Sequence, residues 1–195
     1  MMSPTTQNCV SIQLPLGGHS FSSSALSSIA ADNGVSVCAV VDTAKCVVVP
    51  REHFAEESAE EILRSSGIAI GGDEVVVSSV QAPMIAVMAM NAKCHAALVD
   101  NYGERLCFTS PLLNSPMPEQ GSVIHLSTKS LYVRVANGGL RLIEAMTVES
   151  DADILYILES INKVYNIYNM YARAEGDTKR LLTLCKRSFK NIVCE

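Results

Sequence analysis

Two runs of alternating apolar residues, Leu131–Ala136 and Leu140–Val148, stand on either side of Asn137-Gly138. No other feature of the chain constrains the fold as much. Asn-Gly tolerates the positive φ angles of a primed two-residue turn, so the two runs read as an antiparallel hairpin. Such a turn sets Ala136 opposite Gly139, Val135 opposite Leu140, Arg134 opposite Arg141 and Val133 opposite Leu142. Leu131, Val133 and Val135 then share a face with Leu140 and Leu142, and Tyr132, Arg134, Arg141 and Ile143 share the other. Two opposed guanidiniums repel by roughly 0.2–1 kcal/mol. Arg134 and Arg141 are therefore a candidate anion pair, which an acidic partner would bridge or which salt at an exposed tip would screen. A three-residue loop that takes in Gly139 would slip the register and separate them.

The segments after the hairpin are equally patterned. Ser150-Asp151-Ala152-Asp153 has the form of a capping box. Ile154, Leu155, Ile157, Leu158, Ile161, Val164 and Tyr165 follow at helical spacing. The pattern predicts a strand over Ile167–Ala172, a helix from Thr178 to Arg187 capped by Asp177, and a closing strand over Phe189–Cys194. Val123–Ser127 reads as a strand ahead of the hairpin. Upstream, Asn114–Gly121 contains Pro116, Pro118 and Gly121 and is the best linker candidate.

The first part of the chain has a similar order. Val10–Leu16 is a strand candidate followed by Gly17-Gly18, then a serine-rich stretch from Ser20 to Ser28 that reads as a solvated connection. Val35–Val41 and Cys46–Val49, joined by Asp42-Thr43-Ala44-Lys45, read as a second hairpin. A helix is expected from Pro50 to Gly67, with Phe54, Ile62 and Leu63 inward and Glu56, Glu57, Glu60 and Glu61 in water. Strands follow at Glu74–Val80 and Met84–Met90, then a helix from Asn91 to about Asn101 and a strand at Arg105–Thr109.

Both halves, residues 8–115 and 120–195, thus follow one plan of antiparallel strands succeeded by alternating helices and strands. The plan resembles the ribonuclease-H-like unit, and two such units in tandem resemble the actin-like ATPase fold. The expected class is α/β, with mixed sheets flanked by helices.

Particular segments carry a narrower resemblance. They are Ser11-Ile12-Gln13-Leu14 with Ser20-Phe21, Val49-Pro50 leading to His53-Phe54-Ala55-Glu56-Glu57, and Asp73-Glu74-Val75-Val76. Ala152-Asp153-Ile154-Leu155-Tyr156-Ile157-Leu158 and Phe189-Lys190-Asn191-Ile192 complete the set. In order and content they resemble the bacterial domain-of-unknown-function 3822 family over roughly Cys9 to Cys194. That resemblance implies an actin-like fold and assigns no activity.

An actin-like ATPase holds its nucleotide between the halves. An Asp with Gly and hydroxyl residues at each first hairpin turn organises magnesium and cradles phosphate. The corresponding turns here are Pro15-Leu16-Gly17-Gly18-His19-Ser20 and Leu126-Ser127-Thr128-Lys129-Ser130, and neither has an Asp. The adenosine loop would fall at Arg173-Ala174-Glu175-Gly176-Asp177. The candidate nucleotide- or anion-binding residues are accordingly Gly17, Gly18, Ser127, Thr128, Lys129 and Gly176. Asp42 and Asp73 are the acids nearest to strand ends, and nothing in the sequence places them in a cleft. Without paired carboxylates, metal-assisted hydrolysis is not expected. No catalytic residue and no cofactor are assigned, with a weak ATP site as the alternative.

Composition excludes several other classes. The 195 residues are 48% hydrophobic and 18% charged, which suits a packed core and not a disordered chain. The net charge of −5 argues against general nucleic-acid binding. Five of the 15 basic residues, Lys179, Arg180, Lys186, Arg187 and Lys190, cluster near the C-terminus and read as a solvated helix face. The longest apolar run, Ala82–Met90, is too short to span a bilayer, and no secretory leader is visible, so a cytoplasmic location is expected. Seven cysteines without a Cys-x-x-Cys pair, and four scattered histidines, suggest packing and not a zinc site. The expected role is an interaction or regulatory protein whose partner the sequence does not name, with a homo-oligomer left open.

Overall fold

The computed structural model describes residues 9–14, 36–79 and 83–194. Its strands form three sheets. In the first, β1 (Cys9–Leu14), β2 (Ser36–Val41) and β6 (Leu106–Thr109) lie parallel in the order β1-β2-β6. In the second, β3 (Cys46–Pro50), β4 (Glu74–Ser78) and β5 (Met84–Asn91) are antiparallel, with β5 in the middle. The third takes β7 (Gln120–Leu126), β8 (Ser130–Asn137), β9 (Leu140–Thr147), β10 (Tyr171–Gly176) and β11 (Asn191–Cys194) in the order β11-β10-β7-β8-β9. β7, β8 and β9 are antiparallel there, and β10 runs parallel to both β7 and β11.

The third sheet follows the order expected from the sequence. The first part of the chain does not. Val35–Val41 and Cys46–Val49 are not a hairpin: β2 pairs with β1 and β6, whereas β3 pairs with β5. Val37, Ala39, Val40 and Val41 are apolar and buried on both faces of β2. A strand with two buried faces suits a parallel interior position better than a hairpin arm. The Gly17-Gly18 turn and the serine-rich stretch lie outside the described residues.

Helices close the open faces. The segment after β3 is not one helix from Pro50. Arg51–His53 and Glu56–Ser58 form 3-10 turns, and α1 spans only Ala59–Ser65. Leu63 is buried, with Phe54 and Ile62 packed beside it against Ile85, Val87 and Ala89, while the four glutamates face water. α2 (Ala92–Tyr102) starts at Asn91, whose Oδ1 accepts from the Lys93 and Cys94 N–H groups at 3.0 and 3.2 Å. α3 (Asp151–Tyr165) begins with the expected capping box, in which Ser150 and Asp153 bond each other's backbone. It ends at Asn166, left-handed at φ 57°. The strand expected at Ile167–Ala172 is a 3-10 turn, Ile167–Asn169, followed by β10. α4 (Thr178–Cys185) is capped by Asp177.

Three apolar clusters result. One lies between the third sheet and α3 and α4, around Ile124, Leu131, Val133, Ile154, Leu158 and Leu181. One lies under α1. The third joins β2, β5 and α2 and extends to Tyr132 of β8, with Ile143 and Ala145 of β9 against it. β8 is therefore buried on both faces from Ser130 to Ala136. Among the described residues no helix is long and apolar enough to cross a membrane.

The cap of α2 gives a direct check. Asn91→Ala leaves two N–H groups without their acceptor and is expected to lower unfolding free energy by about 1 kcal/mol in urea denaturation. Asn91→Asp should recover most of that loss.

Candidate functional site

The carboxyl ends of β2, β7 and β10 meet at a cleft of about 490 Å³. Asp42 follows β2, His125 and Leu126 end β7, Ser127 and Thr128 begin the next turn, and Gly176 and Asp177 link β10 to α4. Open α/β sheets hold ligands at such strand ends. The structure thus brings Ser127, Thr128 and Gly176 together, as the sequence analysis grouped them. Lys129 is exposed and does not line the cleft. Gly17 and Gly18 lie outside the described residues.

Asp42 is the residue that the sequence reading failed to place. Its Oδ1 accepts from Ser127 Oγ at 2.7 Å and from the Tyr132 hydroxyl at 2.7 Å. An Asp directly after a buried parallel strand was the available signal. Asp73, by contrast, sits away from the cleft and accepts from Asn91 Nδ2 at 3.5 Å. Burial, and then the charge of Asp42, push the Tyr132 phenol well above its usual range, so it remains a donor.

The turn after β7 is bonded within itself. Ser127 N–H donates to Ser130 O at 2.9 Å, and Ser130 N–H donates to Ser127 Oγ at 3.2 Å. Gly176 has φ +71°, and a Cβ there would overlap the Leu126 carbonyl oxygen and press on His125 Nε2. That carbonyl also accepts from Asp177 N–H at 2.8 Å. The glycine is thus required by the approach of β10 to β7. Asp177 Oδ1 caps α4 through Arg180 N–H at 3.0 Å, and the Arg180 guanidinium pairs with Asp151 at 2.6 Å. No three His, Cys, Asp or Glu side chains gather as a metal site among the described residues. His95 stacks on Phe108, and the adjacent Cys94 is buried with its thiol pushed up by desolvation.

The hairpin corrects the proposed arginine pair. Ala136 pairs with Leu140, Val135 with Leu142 and Arg134 with Ile143, with a bulge between Val135 and Ala136. Gly138 and Gly139 both take positive φ, and Asn137 N–H bonds Gly139 O at 2.9 Å. The loop therefore uses three residues, and Arg134 and Arg141 are not opposed. Arg141 is exposed, its Nε donating to Asn137 O at 3.1 Å. Arg134 turns inward to the linker, donating to Ser115 O at 2.7 Å and to Ser115 Oγ.

Behind the cleft, Glu175 gathers the polar interior. Its Oε1 accepts from Arg173 Nε at 3.0 Å and from Ser115 Oγ at 2.7 Å, and Oε2 lies 3.6 Å from His125 Nδ1. Burial alone would raise its carboxyl. Bonds from His125 and Ser115 and the charges of Arg134 and Arg173 outweigh burial and bring it to about 2. The basic residues near the C-terminus are mostly exposed, with Lys179, Lys186, Arg187 and Lys190 in solvent.

The fold is similar to that of a Bacteroides thetaiotaomicron protein described as having an actin-like ATPase fold and unknown function. The TM-score is 0.71 at 14% identity, over 97% of this chain and 91% of that one. The chain thus has a mixed α/β architecture of the actin-like ATPase class. Weaker likenesses are to the cytoplasmic domain of EpsL, an inner-membrane component of the Vibrio cholerae type II secretion system, and to the AlfA filament bound to AMPPNP. The first has a TM-score of 0.44 at 18% identity over 86% of this chain and 82% of that one. The second has 0.42 at 12% over 88% and 57%. No family model and no curated protein matches the chain, so the segments similar to the domain-of-unknown-function 3822 family have no family model behind them.

Two measurements test this geometry. Gly176→Ala should cost upwards of about 2 kcal/mol in urea denaturation, since it combines a strained φ with a backbone clash. Glu175 has a folded pKa below its unfolded value, so its stabilisation is present above about pH 4.5 and fades as pH falls toward about 2. The stability gap between the parent chain and Glu175→Gln should therefore be full at pH 6 and shrink steadily below pH 4.5. A gap independent of pH would remove the charge network as its cause.

Proposed function

We propose that the chain is a non-catalytic interaction or regulatory protein on the actin-like ATPase fold, with residues 8–115 and 120–195 as its two ribonuclease-H-like halves. The observation that carries this reading is the bonding of the Ser127–Ser130 turn. The Ser127 hydroxyl is engaged with Asp42, and the Ser127 and Ser130 N–H groups bond within the turn, where an active phosphate turn would direct such groups at a ligand. Three further points support it. Gly176 is accounted for by strand packing, and the one guanidinium in the cleft is paired with Asp151. The lining carboxylates of Asp42 and Asp177 would repel an unneutralised polyphosphate. No step through magnesium or nucleotide follows from these residues.

A second reading rests on those same two carboxylates. Asp42 and Asp177 reach one cleft together with Ser127 and Thr128, which favours a weak metal-nucleotide or phosphate site between the halves. The role as an interaction protein also implies a protein partner or a second copy of the chain.

Titration of ATP with magnesium against the purified chain distinguishes the readings. The first expects no turnover above background and no change in melting temperature. The second expects a rise of several degrees at saturation, since ligand at a hundred times its Kd stabilises by about 2.7 kcal/mol. Magnesium-dependent hydrolysis that Asp42→Asn or Ser127→Ala abolishes would overturn the non-catalytic reading.

A further inference from the structure

A second cavity, of about 540 Å³, opens away from the cleft, between the β8–β9 hairpin and the linker. Its lining includes Met84, Leu112, Leu113, Met117, Leu140 and Ile143, all apolar. Leu140 is 45% exposed at the mouth, although it is a large apolar residue at a hairpin tip. Arg134 lines the same cavity, and it is only 5% exposed.

The state of that arginine is unusual. A guanidinium carries five N–H donors. Ser115 takes one bond on its carbonyl and one on its hydroxyl. Both acceptors are neutral. Glu175, the acid nearest to this network, is engaged by Arg173 and lies against His125. No carboxylate among the described residues forms an ion pair with Arg134. Arg134 and Arg173 instead share the one charge of Glu175 through Ser115, so two buried guanidiniums stand against a single carboxylate, and a ligand carboxylate would supply the second. Desolvation lowers the Arg134 pKa to about 10, which still leaves it charged at neutral pH.

We propose that this cavity binds a small amphipathic monoanion, a single carboxylate on an apolar chain, with the carboxylate on Arg134 and the chain along the leucines, methionines and Ile143. The parts divide the recognition between them. The apolar walls supply most of the affinity through burial of the chain. Arg134 supplies selectivity for an anionic head, because a planar guanidinium suits a carboxylate. Glu119 at the lining adds one negative charge, whose repulsion falls more heavily on dianions and polyphosphates than on a monoanion. The inference does not depend on the state of the cleft.

Calorimetric titration of the full chain with laurate, below its micellar threshold, tests the proposal, with dodecanol as the uncharged probe of equal tail. Laurate is expected to bind saturably at one site with a Kd on the order of 10 μM. Dodecanol should bind about 10- to 100-fold more weakly. Arg134→Gln should abolish that preference. Because Arg134 is also a structural tether, Leu140→Glu serves as the second variant. It lies at an exposed position, should leave the melting temperature unchanged, and should weaken laurate at least about tenfold by placing a like charge at the mouth. The proposal is overturned by absence of saturable binding, by equal affinity for laurate and dodecanol, or by a folded Leu140→Glu variant that binds laurate as the parent does.

Discussion

The carboxylate of Asp42 holds the molecule's parts in register. One oxygen accepts from Ser127, 85 residues away, and from Tyr132, 90 residues away. Hydrogen bonds to a charged acceptor contribute about 1.5–3 kcal/mol each, more than most other polar contacts in a chain of this size. Their position matters more than their strength. Asp42 directly follows the central strand of the first sheet, and both donors belong to the first hairpin of the third. Tyr132 is buried in the apolar cluster that those sheets share, and its ring meets His125 edge-on at 5.6 Å. The shape of the cleft follows from this tie. These two bonds tie the end of β2 to the β7–β8 turn.

A second constraint is the charge network below. Ser115 belongs to the segment that reads as a linker, yet it bonds Arg134, Arg173 and Glu175 together. The linker is therefore tied to the third sheet through Ser115, while Asn114, Pro116, Glu119 and Gln120 stay exposed. The same network lies between two cavities. His125 faces the cleft, and Arg134 faces the apolar pocket. Glu175 is in contact with the first and within electrostatic range of the second.

What the sequence disclosed depended on the range of the deciding contact. The capping box at Ser150, the cap at Asn91 and the helix of Ile154, Leu158 and Ile161 are settled within a few residues, and each was legible. The β8–β9 hairpin was legible as a hairpin and not in register. Asn137-Gly138 signals a two-residue turn, but Gly139 also accepts positive φ and admits a three-residue loop. The structure takes the three-residue loop, with Ala136 paired to Leu140 and a bulge beside it. The β2–β3 pairing failed for the same reason. Asp42-Thr43-Ala44-Lys45 has the chemistry of a tight turn, and nothing local shows that β2 is claimed by β1 and β6. Asp42 and Arg134 carry the two candidate sites, and both act through partners far along the chain. A charged residue in or directly after an otherwise apolar strand was the available sign in each case.

That division of local from distant contacts also orders the assembly of the chain. β7, β8 and β9 follow one another through short turns, so their sheet closes only small loops and can form early. The first sheet cannot, because β2 waits for β6, which lies beyond α2. The cleft is complete only after β10, since Gly176 and Asp177 line it beside Asp42 and Ser127. On a ribosome the first part of the chain emerges with β2, buried on both faces, still lacking β6 on one edge. Its apolar surface is exposed for as long as synthesis of the next several elements takes, and an unpaired apolar strand edge favours aggregation over that interval.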